Sequence, residues 1–164
     1  MAGSEFQTFL AASMLLLEQE KPSVYARIGA MLRDEAVNVT LDGAALGIRF
    51  PHGRFAVGPP VEHPLIELAS DRRAILDVVD GVLTLEDAVW DERIRLFGSL
   101  AALLLFLDAL VAYLQGAVRC PSFPWLLDRY RDRIVPTRHE LERRLTGAPG
   151  PDAHQRDGAD HATG

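Results

Sequence analysis

Cysteine is almost missing: Cys120 is the single one in 164 residues. One thiol excludes an internal disulfide and a zinc site built from several thiolates. Lysine is as scarce. Of 17 basic residues only Lys21 is a lysine, a bias that, with the Ala and Leu richness, reads as a high-GC bacterial genome. Basic charge is also the minority sign. Seventeen Lys and Arg face 23 Asp and Glu, and the net charge of −6 argues against nucleic acid as a main partner. The chain does not open with a basic segment, an apolar stretch and a small-residue cleavage site. The longest apolar run, Leu100 to Leu107, stops at Asp108. Even extended by Ala109 to Leu114 it falls short of the roughly 20 residues that span a bilayer. It reads as a buried helix, with no transmembrane segment, and the expected location is the cytoplasm.

Catalytic and cofactor signatures are missing too. His52 lies in a turn, His63 stands beside Pro64, and His154 and His161 fall near the C-terminus, so no paired-ligand spacing arises. A metal site is not expected. No serine sits in Gly-x-Ser-x-Gly, and no Gly-x-Gly-x-x-Gly or Walker loop occurs. No cofactor is expected.

What is present is ordinary globular material, 48% hydrophobic and 24% charged. Residues 1–6 read as a cloning scar or a disordered start, 7–146 as one domain, and 147–164 as a disordered tail poor in apolar pattern. Residues 7–18 carry a helical apolar pattern through Phe9, Leu10, Met14, Leu15 and Leu17, and Pro22 opens a second helix. Val37, Val39 and Leu41 then alternate with polar residues, as do Leu46, Ile48 and Phe50. Asp42-Gly43 between them signals a type I′ hairpin, and Phe55 and Val57 continue on a third strand.

Beyond Pro59-Pro60 come a fourth strand at 65–69, a helix capped by Ser70 and stopped at Gly81, and a short helix begun by Thr84 and Asp87. A fifth strand at 93–97 precedes an apolar helix over 100–115, with Ser99 as its cap and Gly116 as its end. An aromatic helix and a last helix, started by a Thr137–Glu140 capping box, complete the domain.

The order of these elements resembles the sterol carrier protein 2 family over Val37 to Tyr113, about half of the chain. The likeness is carried by the Asp42-Gly43 hairpin, the strand Leu65-Ile66-Glu67-Leu68, and Leu76 to Gly81 ahead of Thr84 to Ala88. Arg93-Ile94-Arg95-Leu96 with Gly98, then Leu103, Leu107 and Leu110, complete it. Where the family often has a glycine before the last strand, this chain has Asp91-Glu92. The resemblance implies an α/β fold of the α+β type. A five-stranded, mainly antiparallel sheet is covered by helices, with an apolar tunnel between them that takes fatty acids, acyl-CoA, sterols or other lipids.

On that footing the expected ligand is a hydrophobic small molecule, fatty acyl, sterol-like or polyketide-like, carried or presented by the protein. Its expected apolar contacts are Ile48, Phe50, Phe55, Leu96, Leu103, Leu104, Leu107, Leu110, Val111, Leu114 and Trp125. Arg49, Arg95 and Asp108 are the candidate polar contacts. Each also has a plain structural reading: the arginines alternate with apolar neighbours, as on the wet face of a sheet, and Asp108 fits a helix edge. Glu67 points out, or enters the pocket if the register shifts by one. A rival reading is a small cyclase, isomerase or dehydratase using the same cavity, with Asp108, Glu67 and His63 as candidate acids or bases beside Arg49 and Arg95.

Another rival is a docking module. It would use the arginine-rich C-terminal helices, whose interleaved acids also read as a solvated, salt-bridged face. Phe123, Trp125 and Tyr130 would form an apolar wedge at the tunnel mouth if that face touched a membrane transiently or met an acyl-CoA phosphate. Cys120 reads as an idle thiol or a nucleophile. The oligomeric state is left open.

Overall fold

The computed structural model describes residues 2–147, with side chains from Glu5 onward. Helix α1 (Ala2–Glu20) is followed by α2 (Pro22–Met31), with Pro22 in the first turn where a missing N–H costs nothing. Strands β1 (Ala36–Leu41) and β2 (Ala44–Arg49) are joined by Asp42 and Gly43, both at positive φ, as the type I′ hairpin requires. A 3-10 turn (Pro51–Gly53) leads to β3 (Ala56–Gly58). Then come β4 (Ile66–Ser70), α3 (Arg72–Val79), α4 (Leu85–Trp90), β5 (Ile94–Phe97), α5 (Leu100–Ala117), α6 (Phe123–Arg131) and α7 (Arg138–Thr146).

The five strands form one sheet in the order β3-β2-β1-β4-β5. Only β1 and β4 run parallel. The chain reaches β4 by a crossover past Pro59-Pro60. Asn38 holds that segment through both ends of its amide, donating to the Val61 carbonyl at 2.8 Å and accepting from its N–H at 2.9 Å. Side chains alternate across the pleat. In register, Leu46, Val39, Leu68 and Leu96 make a ladder on the covered face, beside Val57, Ile48, Val37 and Ile66. Asn38, Glu67 and Phe97 are opposite one another on the other face.

Several local readings change. Helix α1 begins at Ala2, and Phe6 is buried against Phe9 and Tyr130. Within α1 it is Leu16, not Leu15, that is wholly buried. Asp71, not Ser70, caps α3, accepting from the Ala74 N–H at 2.7 Å; Ser70 ends β4 and donates to the Arg93 carbonyl. Thr84 and Ser99 cap α4 and α5, and the Thr137–Glu140 capping box is complete.

Gly116 does not end α5 but lies inside it, where a Cβ would come within 2.8 Å of Val24 and Leu17 side-chain carbons. It is a point of close helix approach. Glu92 has a φ of 56° in the turn before β5, the place where the family resemblance leads one to look for a glycine. The suggested disordered tail lies outside the described residues except for Gly147, which is the left-handed cap of α7.

The C-terminal helices are fastened by arginines. Arg131 pairs with Asp80 at the end of α3 and with Asp128, and Arg129 pairs with Glu140. Arg72 lies 4.1 Å from the Tyr130 ring centroid, donates to the Arg131 carbonyl and meets Glu5 at 3.3 Å. Together these contacts hold α6 against α1 and α3.

Candidate functional site: an apolar cavity between sheet and helices

The covered face of the sheet does not close fully on the helices. A cavity of about 160 Å³ lies between them. From the sheet come Val37, Val39, Ile48, Leu68, Ile94 and Leu96. Helix α5 supplies Phe106, Ala109, Leu110, Tyr113 and Leu114, which recur at steps of one and three on one side. Phe6 and Phe9 from α1 and Phe123 from α6 form an aromatic section of wall, and Phe50 meets Phe55 edge-on at 5.8 Å. Ile75, Val79 and Leu85 from α3 and α4 form another.

The wall is almost wholly carbon. Tyr113 is the lining residue with a side-chain oxygen, and that oxygen is turned to Ser13, to which it donates at 2.9 Å. Ser13 in turn donates to the Leu10 carbonyl at 2.8 Å. Burial pushes the Tyr113 phenol up to about 12, against the lowering effect of the Ser13 hydrogen bond. Water entering such a cavity would find almost no polar partners on its wall. An ion inside it would be unpaired and strongly disfavoured. A hydrocarbon group is the occupant such walls stabilise, at about 0.8 kcal/mol for each methylene taken from water.

The expected apolar contacts divide. Ile48, Phe50, Phe55, Leu96, Leu110 and Leu114 border the cavity. Leu103 and Leu107 are half-buried on α5 and do not, and Leu104 and Val111 face outward. A helix this apolar offers no sequence cue to which side faces the core. Trp125 is not at the cavity either. It lies against the guanidiniums of Arg129 and Arg144, each 5.2 Å from its ring centroid. Phe123 does reach the cavity, and Tyr130 is buried behind it against Phe9 at 4.4 Å.

None of the polar candidates borders the cavity. Arg49 donates to the Pro59 carbonyl at 2.8 Å on the sheet's other face. Arg95 and Glu67 are exposed, with Glu67 in the outward register. His63 is exposed in the crossover, and Asp108 is exposed on the outer side of α5. Cys120 is buried, and its thiol is pushed up to about 11 by desolvation and by Glu20 nearby. A thiol held protonated in this way is a poor nucleophile at neutral pH. Among the described residues, no group of His, Cys, Asp and Glu is placed to hold a metal ion.

Tyr113 and Ser13 were not foreseen. A tyrosine at the end of the Ala109–Leu114 run is the signal, since a buried phenol needs a partner; among the described residues of α1, Ser13 is the buried hydroxyl.

The sequence matches no family model and no curated protein. Solved structures do match the fold. A crystal structure of sterol carrier protein 2 superposes with a TM-score of 0.50 at 15% identity, covering 70% of this chain and 96% of the other. A UbiJ-SCP2 ubiquinone synthesis protein gives 0.46 at 13% identity, over 61% of this chain and 84% of its own. The sterol carrier protein domain 2 of Helicoverpa armigera gives 0.46 at 16%, over 63% and 80%. The five-stranded sheet with its helical cover is therefore a sterol carrier protein 2-like fold.

Proposed function

Starting from that fold, we propose that the protein binds the hydrocarbon part of a small molecule in the cavity and carries or presents it. One observation carries this reading: no charged or amide side chain is among the residues that line the cavity. Recognition then rests on burial of apolar surface, and any charged head group stays outside. The same observation speaks against turnover inside the cavity, since an acid or base would have to border it within hydrogen-bond reach. Solved neighbours named as sterol carrier proteins agree with the reading.

The test is a series of n-alkanols of increasing length, followed by thermal shift and calorimetry. Each added methylene tightens binding about fourfold until the cavity is full, from its transfer free energy of about 0.8 kcal/mol. Ala109→Phe fills the cavity and removes the response. Affinity independent of chain length, or unchanged by Ala109→Phe in a folded variant, would sink the proposal. Native mass spectrometry of the purified protein, with extraction of what it releases, then identifies the natural ligand.

A further inference from the structure

Helix α5 has a second apolar surface, turned mostly away from the cavity and sharing only Leu114 with its wall. Leu100, Leu104, Leu107, Val111, Leu114 and Val118 follow one another at alternating steps of four and three. That is a heptad seam, with leucine at one core position and Leu104, Val111 and Val118 at the other. Much of it faces outward: Leu100 is 74% exposed, Leu104 57%, Val111 44% and Val118 69%. A helix that packs one side on a core normally turns a polar side outward. Here the outward side offers only Asp108 and Gln115 on one flank.

Three occupants suit an apolar surface, and the chain itself discriminates among them. Residues 148–164 contain no Leu, Ile, Val or Met, so that stretch has no apolar side chains of the size that would match the seam. A lipid surface prefers an apolar face rimmed by Lys and Arg. Helix α5 itself has neither, its one charge is Asp108, a single arginine (Arg119) follows the seam's end, and the chain is at −6 overall. A helix with the same repeat fits, because a 3.5-residue period is what knobs-into-holes packing reads.

The seam is self-complementary. With two copies antiparallel about a two-fold axis near residue 109, Leu100 of one copy meets Val118 of the other. Leu104 likewise meets Leu114, and Leu107 meets Val111. The antiparallel sense also opposes the two helix dipoles. We propose that α5 pairs two copies of this chain through this seam. The 18-residue helix is about 27 Å long and about 10 Å wide, so each copy covers roughly 300 Å² in projection. That is well under the roughly 800 Å² a partner contributes to a standard interface. The dimer is therefore weak and reversible.

Sedimentation velocity of the full chain from low micromolar to sub-millimolar concentration tests it. The expected result is a reversible monomer–dimer equilibrium that Leu104→Glu and Val118→Glu each weaken at least tenfold. Both positions are exposed in the monomer, and circular dichroism checks that each variant folds. A chain that stays monomeric throughout overturns the proposal. So does a dimer that neither variant weakens, which would use another surface. Wild-type monomer that co-sediments with phosphatidylcholine vesicles, and loses this with Leu104→Glu, overturns it in favour of a lipid surface. Alkanol uptake is read separately on the same samples, so failure of the seam and failure of the cavity are distinguishable.

Discussion

Tyr113 and Ser13 meet across 2.9 Å, hydroxyl to hydroxyl, and so tie α5 to α1 behind the cavity wall. Both hydrogens are committed, one to Ser13 and one to the Leu10 carbonyl. The two ends of this bond are unequal. Tyr113→Phe leaves Ser13 still donating to Leu10, and the expected loss is about 1 kcal/mol. Ser13→Ala strands a buried phenol and costs more, about 1–3 kcal/mol. The double variant costs less than the sum. Urea unfolding measures all three; losses that simply add in the double variant would show that the bond does not fasten the helices.

Alkali exposes the same buried groups. Desolvation raises Tyr113 and Tyr130 from 10.0 to about 12, and Tyr130 has no hydrogen-bond partner for its hydroxyl among the described residues. The folded pKa lies above the unfolded one, so between these values the unfolded chain has already released protons that the folded chain retains. The tyrosine contribution to stability is therefore whole below about pH 10 and is lost as pH rises from 10 towards 12, after the buried Cys120 thiol has begun to act in the same sense from about pH 9. The urea midpoint should drop across that window while the phenolate absorbance of these two rings lags behind that of the unfolded chain. In Tyr113→Phe the drop is smaller. A flat midpoint from pH 9 to pH 12 contradicts this account.

Gly29 is a sterner test of packing. A Cβ there would collide with the backbone carbonyl of Gly53, which cannot move as a side chain does. At Gly116 the obstacles are the ends of Val24 and Leu17. Gly29→Ala should therefore cost about 3 kcal/mol and Gly116→Ala nearer 1. For a chain this size each kcal/mol lowers the melting temperature by about 2–4 °C. The order of the two melting temperatures decides the point, and a reversed order would place the tight contact elsewhere.

These contacts mark the boundary of what the sequence made legible. Strands, hairpin and caps were readable because their causes are local. Asp42-Gly43 specifies its own turn, alternation through Val37, Val39 and Leu41 fixes which face is buried, and Thr137 finds Glu140 three residues on. The parallel pairing of β1 with β4 has no such signature, since it depends on a crossover held by Asn38 on Val61. The cavity was legible from the sheet side for Ile48 and Leu96. On α5 it was not. Leucines run around the helix, so Leu104 and Leu110 look alike in sequence, yet one faces outward and the other borders the cavity. Gly29 and Gly53 are 24 residues apart, and nothing local says that they touch.

Glu92 offers the opposite kind of test, a substitution that should strengthen the fold. Its φ of 56° lies in the left-handed region, in the turn where α4 gives way to β5. Holding a residue with a Cβ there costs about 1–2 kcal/mol, and glycine avoids that at the price of a floppier unfolded chain. The Glu92 side chain is exposed, so little packing is lost. The net gain for Glu92→Gly is then up to about 1 kcal/mol, seen as a melting temperature higher by about 2–4 °C. Glu92→Ala separates the two effects. It keeps the Cβ and the strain, so it should leave stability near that of the parent. If alanine stabilised as much as glycine, the gain would come from removing a carboxylate beside Asp91, and the backbone explanation would be wrong.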